Sequence, residues 1–103
     1  MKIQPFLHPT YSLKLRSVGN PDYGQYAPIS EPRTVIVESL RAAVEECLSY
    51  IAEWDLGGGN WTSPTVYCNG KPICKIAYNG SLWSIDGQQV PLLEGGKEVK
   101  IGL

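Results

Sequence analysis

Three dipeptides constrain this chain more than any other feature: Asn69-Gly70, Asn79-Gly80 and Asp86-Gly87 follow one another at intervals of ten and seven residues. Asn-Gly and Asp-Gly favour the left-handed backbone of tight hairpin turns, and apolar runs lie between them. The second half therefore predicts an antiparallel meander of about four strands, near 62–68, 72–78, 81–85 and 88–92. A two-residue loop at Asn79-Gly80 sets Ala77 opposite Leu82, Ile76 opposite Trp83 and Cys74 opposite Ile85. One face then carries Cys74, Ile76, Tyr78, Trp83 and Ile85, and the same count through Asp86-Gly87 adds Val90 opposite Trp83. That face is the one expected to receive a helix. Pro91 has no amide donor, which places the last meander strand at a sheet edge.

The helix is legible upstream. Leu40, Ala43, Val44, Cys47, Leu48 and Ile51 recur at helical spacing, with Arg41, Glu45, Glu46, Ser49 and Glu53 elsewhere. A helix over 39–54 is predicted, capped by Ser39 and burying Leu40, Val44, Leu48 and Ile51, with Cys47 on the same stripe. Gly57-Gly58-Gly59 is expected to end it by supplying positive φ. Tyr11, Leu13 and Leu15 alternate with Ser12, Lys14 and Arg16, which predicts a half-buried strand over 10–18. Thr34 to Val37 is a β-branched run read as a short strand ending near Glu38. Between these lies a Pro- and Gly-rich loop, 19–32, whose Tyr23, Tyr26 and Ile29 are expected to lie on the core rather than to form a recognition lip. Val99, Ile101 and Leu103 alternate and suggest a further strand beside the N-terminal one. The predicted fold is α+β: one amphipathic helix on an antiparallel meander of about four strands, with one or two N-terminal strands. At 103 residues the chain has the length of a single domain.

Chemistry is sparse. His8 is the sole histidine and sits between Leu7 and Pro9 near the N-terminus, so a Ser-His-Asp or Cys-His arrangement would need that segment to fold inward. Cys47, Cys68 and Cys74 form an odd set without a Cys-x-x-Cys pair, which argues against a disulfide framework and a zinc site and for reduced thiols in a cytoplasmic protein. A strict two-residue turn at Asn69-Gly70 puts Cys68 and Cys74 on opposite faces, and a one-residue bulge puts them on the same face. The glycine triplet is not a phosphate loop, because it follows a helix end and phosphate cradles use amides at a helix start. No catalytic residue, cofactor or metal is therefore expected. No apolar run reaches membrane-spanning or signal-peptide length, so no membrane association is expected and the sequons at Asn60 and Asn79 read as accidental.

Three function classes follow. The leading expectation is a non-catalytic interaction module that meets a protein partner or a second copy of itself through Trp54, Asn60, Trp61, Tyr23 and Tyr26, since indoles beside tight turns suit interface anchors. The alternative is a ligand-binding protein or small enzyme with a pocket between loop 19–33 and the turn 57–60, lined by Asp22, Tyr23, Tyr26, Asp55 and Asn60. The third is weak nucleic-acid binding through Lys14 and Arg16 on one strand face and Lys71 and Lys75 in the meander. A formal net charge of −1 argues against that third class. The succession of short strand, helix, Asp55-Leu56-Gly57-Gly58-Gly59-Asn60-Trp61 and a meander containing Tyr78-Asn79-Gly80-Ser81-Leu82-Trp83 resembles small bacterial proteins carried on plasmids, phages and gene cassettes. The resemblance covers about 34–85 and implies an accessory cytoplasmic protein; it assigns no substrate, partner or site residue.

Overall fold

The structure is a computed structural model that describes residues 10–99. Its strands are β1 (Tyr11–Leu15), β2 (Arg33–Val37), β3 (Thr65–Cys68), β4 (Lys71–Ile76), β5 (Leu82–Ser84) and β6 (Gln89–Val90), with one helix, α1 (Leu40–Glu53). They form a six-stranded antiparallel sheet in the order β2-β1-β3-β4-β5-β6, with α1 packed on one face. The fold is α+β, and β6, which runs into Pro91, is an edge as expected. A separate two-stranded ribbon follows, β7 (Leu93–Glu94) with β8 (Lys97–Glu98). Lys97 and Glu98, at the start of the expected tail strand, thus pair locally; the part of that expected strand beyond Val99, with Ile101 and Leu103, lies outside the described residues, as does His8.

Alternation sorts β1 as read: Tyr11, Leu13 and Leu15 are buried while Lys14 is exposed. The helix is turned from its expected stripe. Leu40, Ala43, Cys47 and Tyr50 are its buried residues, Val44 and Ile51 flank them, and Leu48 is 42% exposed. The difference comes from Tyr50, whose ring goes into the core once its hydroxyl finds partners in the Ser30 hydroxyl and the Glu31 carbonyl, as its polar tip requires. Ser39 caps as expected by accepting the Ala42 amide at 3.0 Å. The Glu98 carboxylate returns from the ribbon to accept the amides of Leu40 at 2.7 Å and Arg41 at 3.1 Å. A carboxylate there satisfies free amides and opposes the positive end of the helix dipole.

The helix ends without using the glycines. Asp55 takes the left-handed φ of 53°, the Leu56 amide bonds the Ile51 carbonyl at 2.9 Å, and the Asp55 amide reaches Ala52. This is a Schellman motif with aspartate in the position glycine usually fills. Buried Leu56 supplies its apolar contact, and Gly58–Asn60 form a 3-10 turn instead.

The largest correction is a register. Asn79-Gly80 is not a two-residue loop: the Gly80 amide bonds Ala77 at 2.9 Å, the Ala77 amide bonds Ser81 at 2.9 Å, and only Gly80 of the pair has positive φ, at 87°. That is a three-residue loop, a turn closed by a left-handed glycine. Ile76 therefore pairs with Leu82 and Lys75 with Trp83. Asp86-Gly87 repeats the device, so Val90 lies opposite Leu82 and not Trp83. The added residue at the first of these turns exchanges the faces of β5. Leu82 becomes core, while Trp83 and Ile85 leave the helix side and Tyr78 stays in the turn, its hydroxyl on the Leu56 carbonyl. Asn69-Gly70 does form the two-residue turn, with φ of 54° and 79°, followed by a bulge between Val66 and Tyr67. Cys74 then lies opposite Val66, on the same face as Cys68.

Candidate functional site

The residues singled out from the sequence converge at one end of the sheet but divide between interior and surface. Trp61 is 8% exposed; its indole N–H donates to the Ile76 carbonyl at 3.0 Å, and its ring lies 6.5 Å from that of Tyr50. Trp54 caps the helix, half-buried, with its ring 6.4 Å from that of Tyr50. Its indole nitrogen is buried without a partner among the described residues. Asn60 is buried, its amide oxygen accepting the Gly57 amide while its nitrogen donates to the Val18 carbonyl and to Gln25 Oε1, each at 2.9 Å. Asn60 and Trp61 therefore hold the surface from beneath rather than form it.

What they hold is the loop after β1. Ser17 bridges to Trp61, and its hydroxyl accepts the amides of Ile29 and Ser30, each at 3.1 Å. The hydroxyls of Ser17, Ser30 and Tyr50 join in a buried chain of 2.7 and 2.6 Å bonds, and Tyr50 donates to the Glu31 carbonyl at 2.5 Å. The loop returns on itself by the same means. Asn20 accepts the amides of Asp22, Tyr23 and Gln25, and Gln25 Oε1 accepts the Asn20 amide. Gly59 lies against Asn20 so closely that an added Cβ would overlap its amide group. The space foreseen as a ligand pocket between this loop and the glycine turn is thus occupied by Asn20, Gln25 and Asn60, bonded to one another and to the backbone. Asp22 and Asp55 are both exposed. Tyr23 and Tyr26 are not core residues, since they project into solvent at 80% and 84% exposure.

A second feature occupies the sheet face away from α1. Lys14, Arg16, Thr62, Ser63, Pro64, Thr65, Tyr67 and Lys75 line a polar cavity of about 240 Å³. Ser63 and Lys75 are shared with an adjoining apolar cavity of about 310 Å³ lined also by Ala77 and Trp83. Ser63 holds a left-handed φ of 52°, an uncommon conformation for a serine, between the two. Lys14, Arg16 and Lys75 are among the cations expected to meet nucleic acid, and Trp83, expected on the helix side, joins them here because it pairs with Lys75. The overlooked signal was charge, because neither 10–21 nor 56–85 contains an aspartate or glutamate.

Two of the thiols are held protonated by burial. Burial pushes Cys47 up to about 12 and Cys74 up to about 11, far from the thiolate that reactivity requires. All three cysteines are free and buried. Among the described residues no cluster of three His, Cys, Asp or Glu side chains could hold a metal ion, and no helix is long and apolar enough to cross a membrane. Compared with protein-family models, curated proteins and solved structures, the chain has no match.

Proposed function

We propose that this chain is a non-catalytic interaction module that docks on a protein partner through the loop bearing Tyr23 and Tyr26. One observation carries the reading: two tyrosines stand almost fully in solvent on a loop whose backbone is fixed by Ser17, Asn20, Gln25 and Asn60. Tyr50 and Trp61, by contrast, are buried, and the Trp61 indole is pinned to a backbone carbonyl. Tyrosines are favoured interface anchors because they add large contact area with few rotatable bonds. A loop ordered beforehand loses little entropy on binding.

The test places a photo-reactive phenylalanine at position 26 in the source cell, with position 71 as the control site. A single adduct specific to position 26 identifies the partner, whose binding to purified wild-type protein is then measured. Tyr23→Ala with Tyr26→Ala should weaken that binding at least tenfold while leaving the melting temperature in place, since neither ring touches the core. An unchanged affinity would refute the reading. If the adduct is a second copy of the chain, sedimentation of the double variant should show a monomer where the wild type shows a dimer.

A further inference from the structure

We propose that the groove on the open sheet face binds single-stranded nucleic acid, with phosphates on Lys14, Arg16 and Lys75 and a base stacked on Trp83. This site is separate from the tyrosine loop and independent of any protein partner. Charge is the first argument. The chain has a net charge of −1, yet its carboxylates avoid both segments that build the groove. Lys14, Arg16 and Lys75 therefore converge on one cavity from strands that carry no opposing charge. Cations gathered in this way create a local positive field that the net charge conceals.

Shape and ring placement supply the second argument. The cationic cavity shares Ser63 and Lys75 with the apolar one, so a phosphate site adjoins a site for a flat apolar ring. Trp83 is half-buried, and its indole N–H donates to Ser81 Oγ at 3.0 Å. Ser81 is itself bonded to Asn79 Oδ1 at 2.6 Å, so the ring is oriented before any ligand arrives. Tyr67, 41% exposed, offers a second ring on the cationic side. Alternating cations and aromatic faces on an open sheet match what a single strand requires, since its bases are unpaired and free to stack. A duplex hides those faces, and an acidic peptide has no use for the indole.

The experiment is fluorescence anisotropy of a labelled mixed-sequence 12-mer of single-stranded DNA, and of the matching RNA, with the full chain at low salt. The expected result is binding tighter than roughly 10⁻⁴ M, the weak end of ordinary non-specific affinity. Three phosphate contacts should give a slope of about −2 in log K against log salt, at roughly −0.7 per contact. Lys75→Gln should make that slope shallower by about 0.7. Trp83→Ala should weaken binding about tenfold without changing the slope, and Trp83→Phe should restore part of the loss. Lys97→Gln, on the ribbon, should leave binding unchanged. No detectable binding would overturn the proposal, as would equal competition by polyglutamate or by the duplex of the same sequence. If Lys75→Gln weakens binding and Trp83→Ala, folded by circular dichroism, does not, the face is a general polyanion patch and the proposal also falls.

Discussion

The two faces of the sheet are made by the same strands and have opposite characters. On β1, β3, β4 and β5 the residues facing α1 include Leu13, Val66, Cys74, Ile76 and Leu82, each 2% exposed or less. The residues between them on the other face include Lys14, Thr65, Lys75 and Trp83, beside an open groove. Burial removes freedom from the first face, because every side chain there must fill a given volume. The second face has no such duty, and it is there that cations, hydroxyls and an indole are brought together. What puts Leu82 on the first face and Trp83 on the second is a count of one residue at the Asn79-Gly80 turn.

That comparison breaks most visibly at the tryptophans. Trp61→Ala should cost about 3–5 kcal/mol, the range for emptying a large aromatic from a core, because the substitution also strips the Ile76 carbonyl of its indole donor. Trp83→Ala should cost less than about 1 kcal/mol, as substitutions away from the core usually do. Urea unfolding of the two variants measures the difference directly. Similar losses for both would mean that Trp83 belongs to the core, as a two-residue turn would have it.

The pattern of what was legible in the sequence follows from the range of each interaction. Ser39, the limits of α1 and the half-buried strand over 11–15 rest on neighbours within a few positions, and periodicity exposed them. The face of β5 depends on whether Asn79-Gly80 closes a loop of two residues or three, and both loops favour the same dipeptide. The helix stripe was displaced because Tyr50 is amphipathic, and its place in the core depends on Ser30 and Glu31, twenty and nineteen positions away. Glu98 reaches the helix start across 58 residues, which no local pattern announces. For the candidate site, Tyr23 and Tyr26 were visible as residues but their exposure was not. The groove was visible only as scattered lysines and arginines until the register brought Trp83 beside them.

The buried hydroxyl chain ties the helix to the tyrosine loop, and it can be cut without emptying space. Tyr50→Phe removes one oxygen and leaves the Glu31 carbonyl and the Ser30 hydroxyl short of a partner. A loss of about 1–3 kcal/mol is expected, the usual penalty for an unsatisfied buried polar group. Limited proteolysis should find the loop around 19–31 cut faster in this variant than in wild type. A variant as stable and as resistant as wild type would show that Asn20, Gln25 and Asn60 fix the loop unaided.

The thiols of Cys47 and Cys74 give a dependence on pH. Their folded-state pKa values lie above the ordinary value of 9.0 because burial disfavours the thiolate, so the folded protein keeps protons that the unfolded chain releases. Stability contributed in this way is fully present below pH 9 and falls as pH rises toward about 11 for Cys74 and about 12 for Cys47. The slope reaches at most about 1.4 kcal/mol per pH unit for each thiol. Urea midpoints between pH 8 and 11 should decline accordingly, and Cys74→Ala should flatten the decline relative to its own stability at pH 8. A level profile up to pH 11 would mean that water reaches these sulfurs.

The smallest effect is expected at Leu48, and it separates the observed helix rotation from the one that spacing alone suggests. Counting apolar positions puts Leu48 at the centre of the stripe, where replacement by alanine would cost about 2–5 kcal/mol. The structure turns α1 so that Ala43, Cys47 and Tyr50 face the sheet and Leu48 lies 42% in solvent, its methyl groups over the turn at Gly80. Much of its surface therefore stays wet in the folded state and contributes little to folding, because the hydrophobic gain follows the area removed from water. Leu48→Ala should cost about 1 kcal/mol or less. A β-branched side chain at Ala43, which is fully buried, should by contrast overfill the core and cost about 1–3 kcal/mol. Measured together, Leu48→Ala and Ala43→Val report which side of α1 faces the sheet, and the reverse order of losses would return the helix to the stripe centred on Leu48.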